Sequence, residues 1–190
     1  VTVKTRKGET IVSQDETPFA LDIDKIPGLK PAFPKTGTVT AASSSSISDG
    51  AAAIVIANAE WARAQGLTPL ARIVASASHA QAPEWFTTAP GPAIQKVLDL
   101  AGWKASDVDL FEINEAFACV TMAAVHDLKL DHARVNVNGG ACALGHPIGA
   151  TGAILTVKAM YELHRTGGRY GLITMCIGGG QGIAAIIERI

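Results

Sequence analysis

The chain has almost no net charge and very few cysteines. Its 190 residues include 16 lysines and arginines against 17 aspartates and glutamates, a formal net charge of −1. This balance gives no electrostatic reason to expect a nucleic acid or an anionic membrane as a partner. The three cysteines, Cys119, Cys142 and Cys176, follow neither C-x-x-C nor metal-ligand spacing. We therefore expect no bound metal and a reducing, cytoplasmic compartment.

Long uncharged hydrophobic runs are also missing. No stretch reaches the roughly 18–20 residues that a membrane span needs, so we expect no membrane association. No signal or transit peptide is visible from Val1 onward, and a chain that begins with valine is compatible with a start inside a longer protein. Hydrophobic residues nevertheless make up 48% of the chain, enough for one substantial core or for one compact domain and part of a second.

From Leu70 onward, the apolar pattern predicts a layered α/β domain. Short apolar and β-branched runs predict five strands, over residues 71–77, 108–113, 135–137, 170–175 and 182–190. Between them, helical spacing predicts helices over 92–102, 117–128 and 147–164. The last helix is apolar nearly all round, which is typical of a buried helix. We expect a mixed five-stranded sheet with helices on both faces.

The first 70 residues show less regularity. Up to Gly37, proline and glycine interrupt every short segment, which predicts a long irregular arm. The serine run 43–46 is compatible with a flexible linker, but we favour an ordered loop because apolar segments flank it. Ala51–Ala57 predicts a buried strand, and Asn58 is placed to cap a short helix that ends before Gly66.

Two glycine-rich stretches carry side chains suited to proton transfer. His146 lies within the run Gly139–Gly149, and Cys176 precedes Gly178-Gly179-Gly180. Glycine lets backbone N–H groups approach a ligand closely, so a histidine and a cysteine in such surroundings indicate acid–base chemistry beside an oxyanion site. For the remaining candidates the sequence favours structural, non-catalytic roles; these are Cys119, Cys142, His132 and His164.

Asn114 presents two alternatives that its residue type alone does not separate. It follows a predicted strand and precedes a predicted helix, at the strand end where open α/β sheets bind ligands. It can orient a water or a carbonyl there, or it can simply cap the helix. Taken alone, the residue favours capping.

Together, these motifs resemble a known family. Asn114-Glu115-Ala116-Phe117, Gly145-His146-Pro147 and Cys176-Ile177-Gly178-Gly179-Gly180, in this order, resemble three carboxyl-half signatures of the thiolases, most closely those of biosynthetic type. The resemblance implies a thiolase-like layered fold, divided into the end of a loop domain (1–37), the last strand and helix of the amino-terminal domain (38–69) and the carboxyl-terminal domain (70–190).

The resemblance also implies catalytic roles. In thiolases an acyl group is carried on a reactive cysteine, and the enolate of acetyl-CoA attacks it in a Claisen condensation whose reverse is thiolysis. His146 matches the histidine that activates that cysteine, and Asn114 matches the residue that holds the oxyanion-hole water. Cys176 matches the acid/base at the α-carbon, and the backbone N–H of Gly178 matches part of a second oxyanion hole.

Substrate contacts follow from the same resemblance. The segment Thr38–Ala41 followed by Ser48–Ala51 resembles the family's CoA-binding loop. The positions expected to contact CoA or the acyl group are Ser45, Ala41, Phe33, Phe117 and Phe86. Phe86 stands where biosynthetic members often carry methionine. A coenzyme A thioester is expected as substrate, with no separate cofactor.

The nucleophilic cysteine of thiolases lies in their amino-terminal half, and no cysteine here matches it. We therefore expect the chain to be inactive without an amino-terminal partner half, and the complete enzyme to be a homodimer or homotetramer. Two alternative functions predict different residues. A ketosynthase-like enzyme would carry His-Gly-Thr-Gly-Thr, which is absent. A catalytically silent acyl-CoA- or lipid-binding relative would show erosion of Asn114, His146 and Cys176, all of which are present.

Overall fold

A computed structural model describes all 190 residues. The strands are β1 (Thr2–Thr5), β2 (Gly8–Ile11), β3 (Ala71–Ala80), β4 (Leu110–Ile113), β5 (Tyr170–Ile177) and β6 (Gln181–Arg189). The α-helices are α1 (Thr17–Ala20), α2 (Ala59–Ala64), α3 (Pro90–Ala101), α4 (Ala118–Leu128), α5 (Ala141–Leu144) and α6 (Thr151–Thr166). No helix combines the length and the apolar character needed to cross a lipid bilayer.

The main sheet has four strands in the order β3-β6-β5-β4. Strand β4 is parallel to β5, whereas β6 is antiparallel to both of its neighbours, so the prediction of a mixed sheet is confirmed. The strand predicted over residues 135–137 is reduced to a single bridge between Phe111 and Val135, so the sheet has four strands and not five. Asn136 ends that strand, because its φ of 48° lies in the left-handed region and turns the chain away from the sheet.

Helices cover both faces of this sheet, as predicted. Helices α3 and α4 pack on one face through a cluster of fully buried residues that includes Ile94, Val120 and Phe111. Helix α6 packs on the other face through Leu155, Ala159 and Leu163. The antiparallel turn between β5 and β6 and the end of β4 lie at one end of the layered domain, beside the loop that leads into α6.

Helix α6 differs from its prediction in two ways. It begins at Thr151 rather than Pro147, because residues 147–150 form a tight turn in which the amides of Ala150 and Thr151 both donate to the Pro147 carbonyl. It also buries a single face, and Tyr161 on the outer face is 60% exposed. The apolar residues on the outer face of α6 are therefore partly exposed and not fully buried.

The first 70 residues contain more order than the sequence indicated. Strands β1 and β2 form a hairpin within the predicted irregular arm. The serine run is an ordered loop, since the Ser45 amide donates to the Ala116 carbonyl over 3.1 Å. Asn58 caps α2 as predicted, accepting from the next turn through its side chain. The predicted strand Ala51–Ala57 is wrong, because this exposed segment pairs with no other strand.

Candidate active site

The carboxyl ends of two neighbouring parallel strands define the site. Asn114 directly follows β4, and its backbone N–H donates to the carbonyl of Thr174 on β5 over 3.0 Å. Cys176 lies two residues further along β5, and Ile177 alone separates it from the glycine turn. Parallel strands end at the same sheet edge, so the adjoining strands bring Asn114 and Cys176 to one edge.

The structure brings Asn114 and His146 together, although 32 positions separate them in the chain. The Nδ2 of Asn114 lies 3.3 Å from the Nε2 of His146. The loop that carries His146 is held from the opposite side as well, since the His146 amide donates to the carbonyl of Ser46 over 2.9 Å. The Asn114 side chain therefore contacts the imidazole and does not cap α4, whose cap position is Phe117.

Thr151 holds the other side of the imidazole. Its Oγ1 lies 2.7 Å from the Nδ1 of His146 and 2.9 Å from the Pro147 carbonyl oxygen. Because a carbonyl only accepts, we assign the hydroxyl proton to that bond, which leaves the hydroxyl oxygen to accept from Nδ1–H. The Nε2 of His146 then carries a lone pair, and the Asn114 amide donates to it.

Burial favours the uncharged form of this histidine. Desolvation lowers the pKa of His146 below its ordinary value of 6.5, so the imidazole is neutral at neutral pH. A neutral ring with a lone pair on Nε2 is equipped to accept a proton there in place of the Asn114 hydrogen bond. The Oδ1 of Asn114 is buried without a hydrogen-bond partner, so the same side chain also carries an unused acceptor.

Cys176 is buried at the end of β5, with 8% of its surface exposed. Burial raises the pKa of its thiol, so the resting group is protonated and the thiolate, once formed, is a stronger base. In the turn that follows, Gly179 and Gly180 have φ of 94° and 87°, a region that favours glycine. A methyl group on Gly178 would meet no atom of the chain within 4 Å.

The other two cysteines have different surroundings. Burial, followed by the nearby charge of Glu115, raises the pKa of Cys142 to about 12, so this group stays a thiol. Cys119, for which the sequence favoured a structural role, is exposed. Its position in the first turn of α4 turns it away from the core formed by Val120 and Ala124.

Three aromatic residues from distant segments meet at the start of α4. The rings of Phe33 and Phe117 lie 5.9 Å apart, and those of Phe86 and Phe117 lie 6.2 Å apart, both edge to face. The Ser45 hydroxyl donates to the carbonyl of Ala116 over 3.1 Å, so the serine loop adjoins this cluster. Ala41 opens a short 3₁₀ turn at the beginning of the same loop. The predicted substrate contacts thus form one region.

Sequence reasoning assigned no role to several residues that shape the site. Thr151, Ser46, Glu115 and Asn136 all hold its loops through hydrogen bonds. Glu115 was visible within the Asn114–Phe117 motif, although only the fold reveals its partners. Thr151 and Asn136 carried no distinctive local signal, since both act through loop geometry.

Comparison with known proteins decides the family. A model described as "Thiolase, C-terminal domain" matches residues 67–189, and one described as "Thiolase, N-terminal domain" matches residues 1–60. The chain belongs to the thiolase family. Among solved thiolase structures, the acetyl-CoA acetyltransferase of Bacillus anthracis superposes with a TM-score of 0.93 at 46% identity, with 100% of this chain and 48% of that chain covered. The human mitochondrial 3-ketoacyl-CoA thiolase gives 0.89 at 42% identity, with 100% and 48% covered.

Curated thiolases resemble this chain throughout its length. The acetyl-CoA acetyltransferase of Escherichia coli is 51% identical over 191 residues, which cover 100% of this chain and 48% of the relative. The acetyl-CoA acetyltransferase of Paracoccus denitrificans is 46% identical, with 100% and 49% covered. The beta-ketothiolase BktB of Cupriavidus necator is 49% identical, again with 100% and 49% covered. The chain spans about half the length of these thiolases, and the expected thiolase-like fold is confirmed.

Proposed function

We propose that this chain is the carboxyl-terminal part of an acetyl-CoA acetyltransferase, which condenses two acetyl-CoA molecules to acetoacetyl-CoA and catalyses the reverse thiolysis. One observation carries the proposal: the hydrogen-bonded chain Asn114–His146–Thr151 lies at the sheet edge where the adjoining strand, with Cys176 as its last residue but one, also ends. The names of the E. coli and B. anthracis relatives support the choice of acetyl-CoA. The nucleophilic cysteine is contributed by an amino-terminal half.

His146 serves the acylation step. Its Nε2 accepts the proton of the nucleophilic thiol, and the thiolate attacks the thioester carbonyl of the first acetyl-CoA. The imidazolium then donates from Nε2 to the developing oxyanion, beside a water held by the buried Oδ1 of Asn114. The C–S bond to CoA breaks and the acetyl group remains on the nucleophile. The departed CoA thiolate then takes the proton of the Cys176 thiol, which becomes a thiolate, and His146 keeps the proton that it took from the nucleophile.

Cys176 serves the carbon–carbon step. As a thiolate it removes a proton from the α-carbon of the second acetyl-CoA, and donors around His146 and Asn114 stabilise the enolate oxygen as it forms. The enolate carbon bonds to the acyl carbon, and the C–S bond to the nucleophilic cysteine breaks. The Gly178 N–H stabilises the acyl carbonyl oxygen during this attack. A thiol whose pKa is raised by burial suits an acid/base that works on a carbon acid.

The substrate is an acyl-CoA thioester with a short acyl group. Phe86 and Phe117 stand edge to face, so together they limit the length of an acyl group at the start of α4. Ser45, Ala41 and Phe33 contact the CoA moiety along the serine loop. No cofactor beyond the CoA thioester takes part. We place the complete enzyme in the cytoplasm, where Cys176 stays reduced, and assign it a homodimeric or homotetrameric state.

Acetoacetyl-CoA thiolysis tests this proposal. The purified chain is assayed alone and after co-expression with the amino-terminal half of the E. coli relative. We expect no turnover by the chain alone and CoA-dependent loss of acetoacetyl-CoA by the pair, abolished by His146→Ala. A co-purifying pair that binds CoA without turnover would instead favour the catalytically silent acyl-CoA-binding alternative.

A further inference from the structure

We propose that Glu115 is a positioning residue, whose carboxylate ties the backbone that carries Asn114 to the loop that carries His146. Its Oε1 accepts from the Nδ2 of Asn136 over 3.0 Å, and its Oε2 accepts from the backbone amide of Cys142 over 3.1 Å. Each carboxylate oxygen thus contacts a different segment. The expected effect of Glu115 on the reaction rate rests on the proposed function, whereas its expected effect on the position of Asn114 relative to His146 does not.

The first contact fixes the chain around Asn114. Asn136 adopts a φ of 48°, and its side chain accepts from the amide of Ile113 over 2.8 Å and donates to the carbonyl of Ile113 over 2.9 Å. The same amide group donates to Glu115. One side chain therefore holds the residues on both sides of Asn114, which leaves the Asn114 backbone little freedom to move.

The second contact fixes the loop before His146. Cys142 lies in the first turn of α5, and this helix ends directly before Gly145 and His146. The Cys142 thiol also reaches the Glu115 carbonyl, with Sγ 3.8 Å from the oxygen. A methyl group on Gly140 would overlap the Glu115 carboxylate, so glycine at this position lets the carboxylate reach the helix.

The two contacts require a carboxylate rather than an amide. Both partners of Glu115 are N–H donors, and a carboxylate presents only acceptors. A glutamine of the same shape would direct its NH₂ group at a donor whichever way it turned. Glu115→Gln therefore loses one of the two hydrogen bonds. Its side chain then no longer links the backbone around Asn114 to the loop that carries His146.

Kinetics of the chain paired with an amino-terminal half form the first test. We expect Glu115→Gln to lower kcat by about 100-fold, because a displacement of about 1 Å in a catalytic group has this effect, with the KM for acetoacetyl-CoA unchanged. Asn136→Asp sets two carboxylates against each other and should lower kcat likewise. In the double variant E115Q/N136D the introduced amide donates to the introduced carboxylate, and we expect about tenfold recovery of kcat.

The pKa of His146, followed by NMR in the chain alone, is a second readout. The Asn114 amide donates to Nε2 and so favours the neutral ring, and loss of this bond raises the pKa of His146. Removal of the Glu115 negative charge alone has the opposite sign, because a nearby anion favours the imidazolium. We expect Glu115→Gln to raise the pKa of His146 and the double variant to restore it in part, because aspartate at position 136 no longer donates to the Ile113 carbonyl. Glu60→Gln, on an exposed turn of α2, is the matched control.

These outcomes separate the two proposals. If the wild-type pair does not turn over, the proposed function fails, and the NMR titration still decides the role of Glu115. An unchanged or lowered pKa of His146 in Glu115→Gln overturns the positioning role, as does an unaltered kcat in an active pair. If Glu115→Gln does not fold, Gly140→Ala displaces the same carboxylate and must give the same changes.

Discussion

At the scale of single residues, the state of His146 follows from its two neighbours. Thr151 accepts from Nδ1–H because its own proton goes to the Pro147 carbonyl, and Asn114 donates to Nε2. The ring is thereby held in one tautomer with its lone pair towards the site. Burial keeps it neutral, so the residue is prepared to accept a proton from a thiol.

The pH dependence of acylation follows from this state. The pKa of His146 lies below 6.5, so the neutral, proton-accepting form is present above that value and is lost as pH falls through the lowered pKa. We expect the acid limb of kcat/KM for acylation to lie below pH 6.5. Single-turnover acylation of the reconstituted enzyme between pH 4.5 and 8 measures it. An acid limb above 6.5 would contradict the assignment.

At the scale of elements, the turn between β5 and β6 carries one kind of glycine and the start of β6 another. A methyl group on Gly182 would overlap the backbone of Ala89 at the start of α3, whereas one on Gly178 would meet open space. Gly182 is thus needed for packing of the sheet against α3. Gly178 meets no such constraint from the chain, which suits a position approached by substrate.

Alanine substitution separates the two roles. We expect Gly182→Ala to lower the free energy of unfolding by about 1–3 kcal/mol, the usual cost of overpacking. Gly178→Ala should leave unfolding unchanged and lower kcat at least about tenfold, because the methyl group displaces the acyl carbonyl from the N–H donor. Denaturant unfolding and thiolysis rates of both variants test this. Equal destabilisation by the two would refute it.

One lysine ties helix α6 to β4 by an ion pair and to the histidine loop by a hydrogen bond. The Nζ of Lys158 lies 2.9 Å from the Oε2 of Glu112 and 2.8 Å from the carbonyl oxygen of Gly139. Glu112 is fully buried, and its Oε1 has no hydrogen-bond partner. Burial raises the pKa of Glu112 above 4.5, partly offset by Lys158.

Lys158→Met leaves this carboxylate buried without a cation. We expect a loss of about 3–5 kcal/mol in the free energy of unfolding at pH 7, and a smaller loss in the double variant K158M/E112Q. Because the folded-state pKa of Glu112 is raised, its contribution to stability falls as pH rises above 4.5. Lys158 lowers this pKa, so in Lys158→Met the pKa rises further and stability falls more steeply with rising pH. The deficit of Lys158→Met should therefore shrink as pH falls towards 4.5. Denaturant unfolding at both pH values tests this, with Lys96→Met as the exposed control; a deficit independent of pH would exclude the mechanism.

Elements with local signals were predictable from the sequence. The periodic residues of α3 and the apolar run of β5 decide their structure locally, as does the Asn58 cap of α2. The failures depend on distant partners or on backbone geometry. Asn136 interrupts the strand predicted over residues 135–137 through its left-handed φ. The segment Ala51–Ala57 has the composition of a strand but no strand beside it.

The same division applies to the site. The three motifs predicted a shared location for Asn114 and His146, and the structure places them 3.3 Å apart. Thr151, Glu115 and Asn136 were not assigned, because their hydrogen bonds depend on loop conformations that no local spacing encodes. The catalytic roles and the division of the chain into three thiolase segments remain predictions.

At the scale of the whole molecule, the proposed function gives this chain the acid/base groups of a thiolase site and assigns the nucleophile to the half of the relatives that this chain does not span. Acylation then draws on His146 and the nucleophile. Condensation and thiolysis also need Cys176. The two half-reactions therefore depend differently on one residue of this chain.

The most direct test of this account is to measure the half-reactions separately in the reconstituted enzyme with Cys176→Ser. Serine keeps the shape of the side chain but is a far weaker acid than a thiol, so it exchanges the α-proton poorly. We predict that condensation and thiolysis slow by at least about 100-fold while acylation by acetyl-CoA stays near the wild-type rate. Equal losses in both half-reactions would contradict the role of Cys176 as the acid/base at the α-carbon.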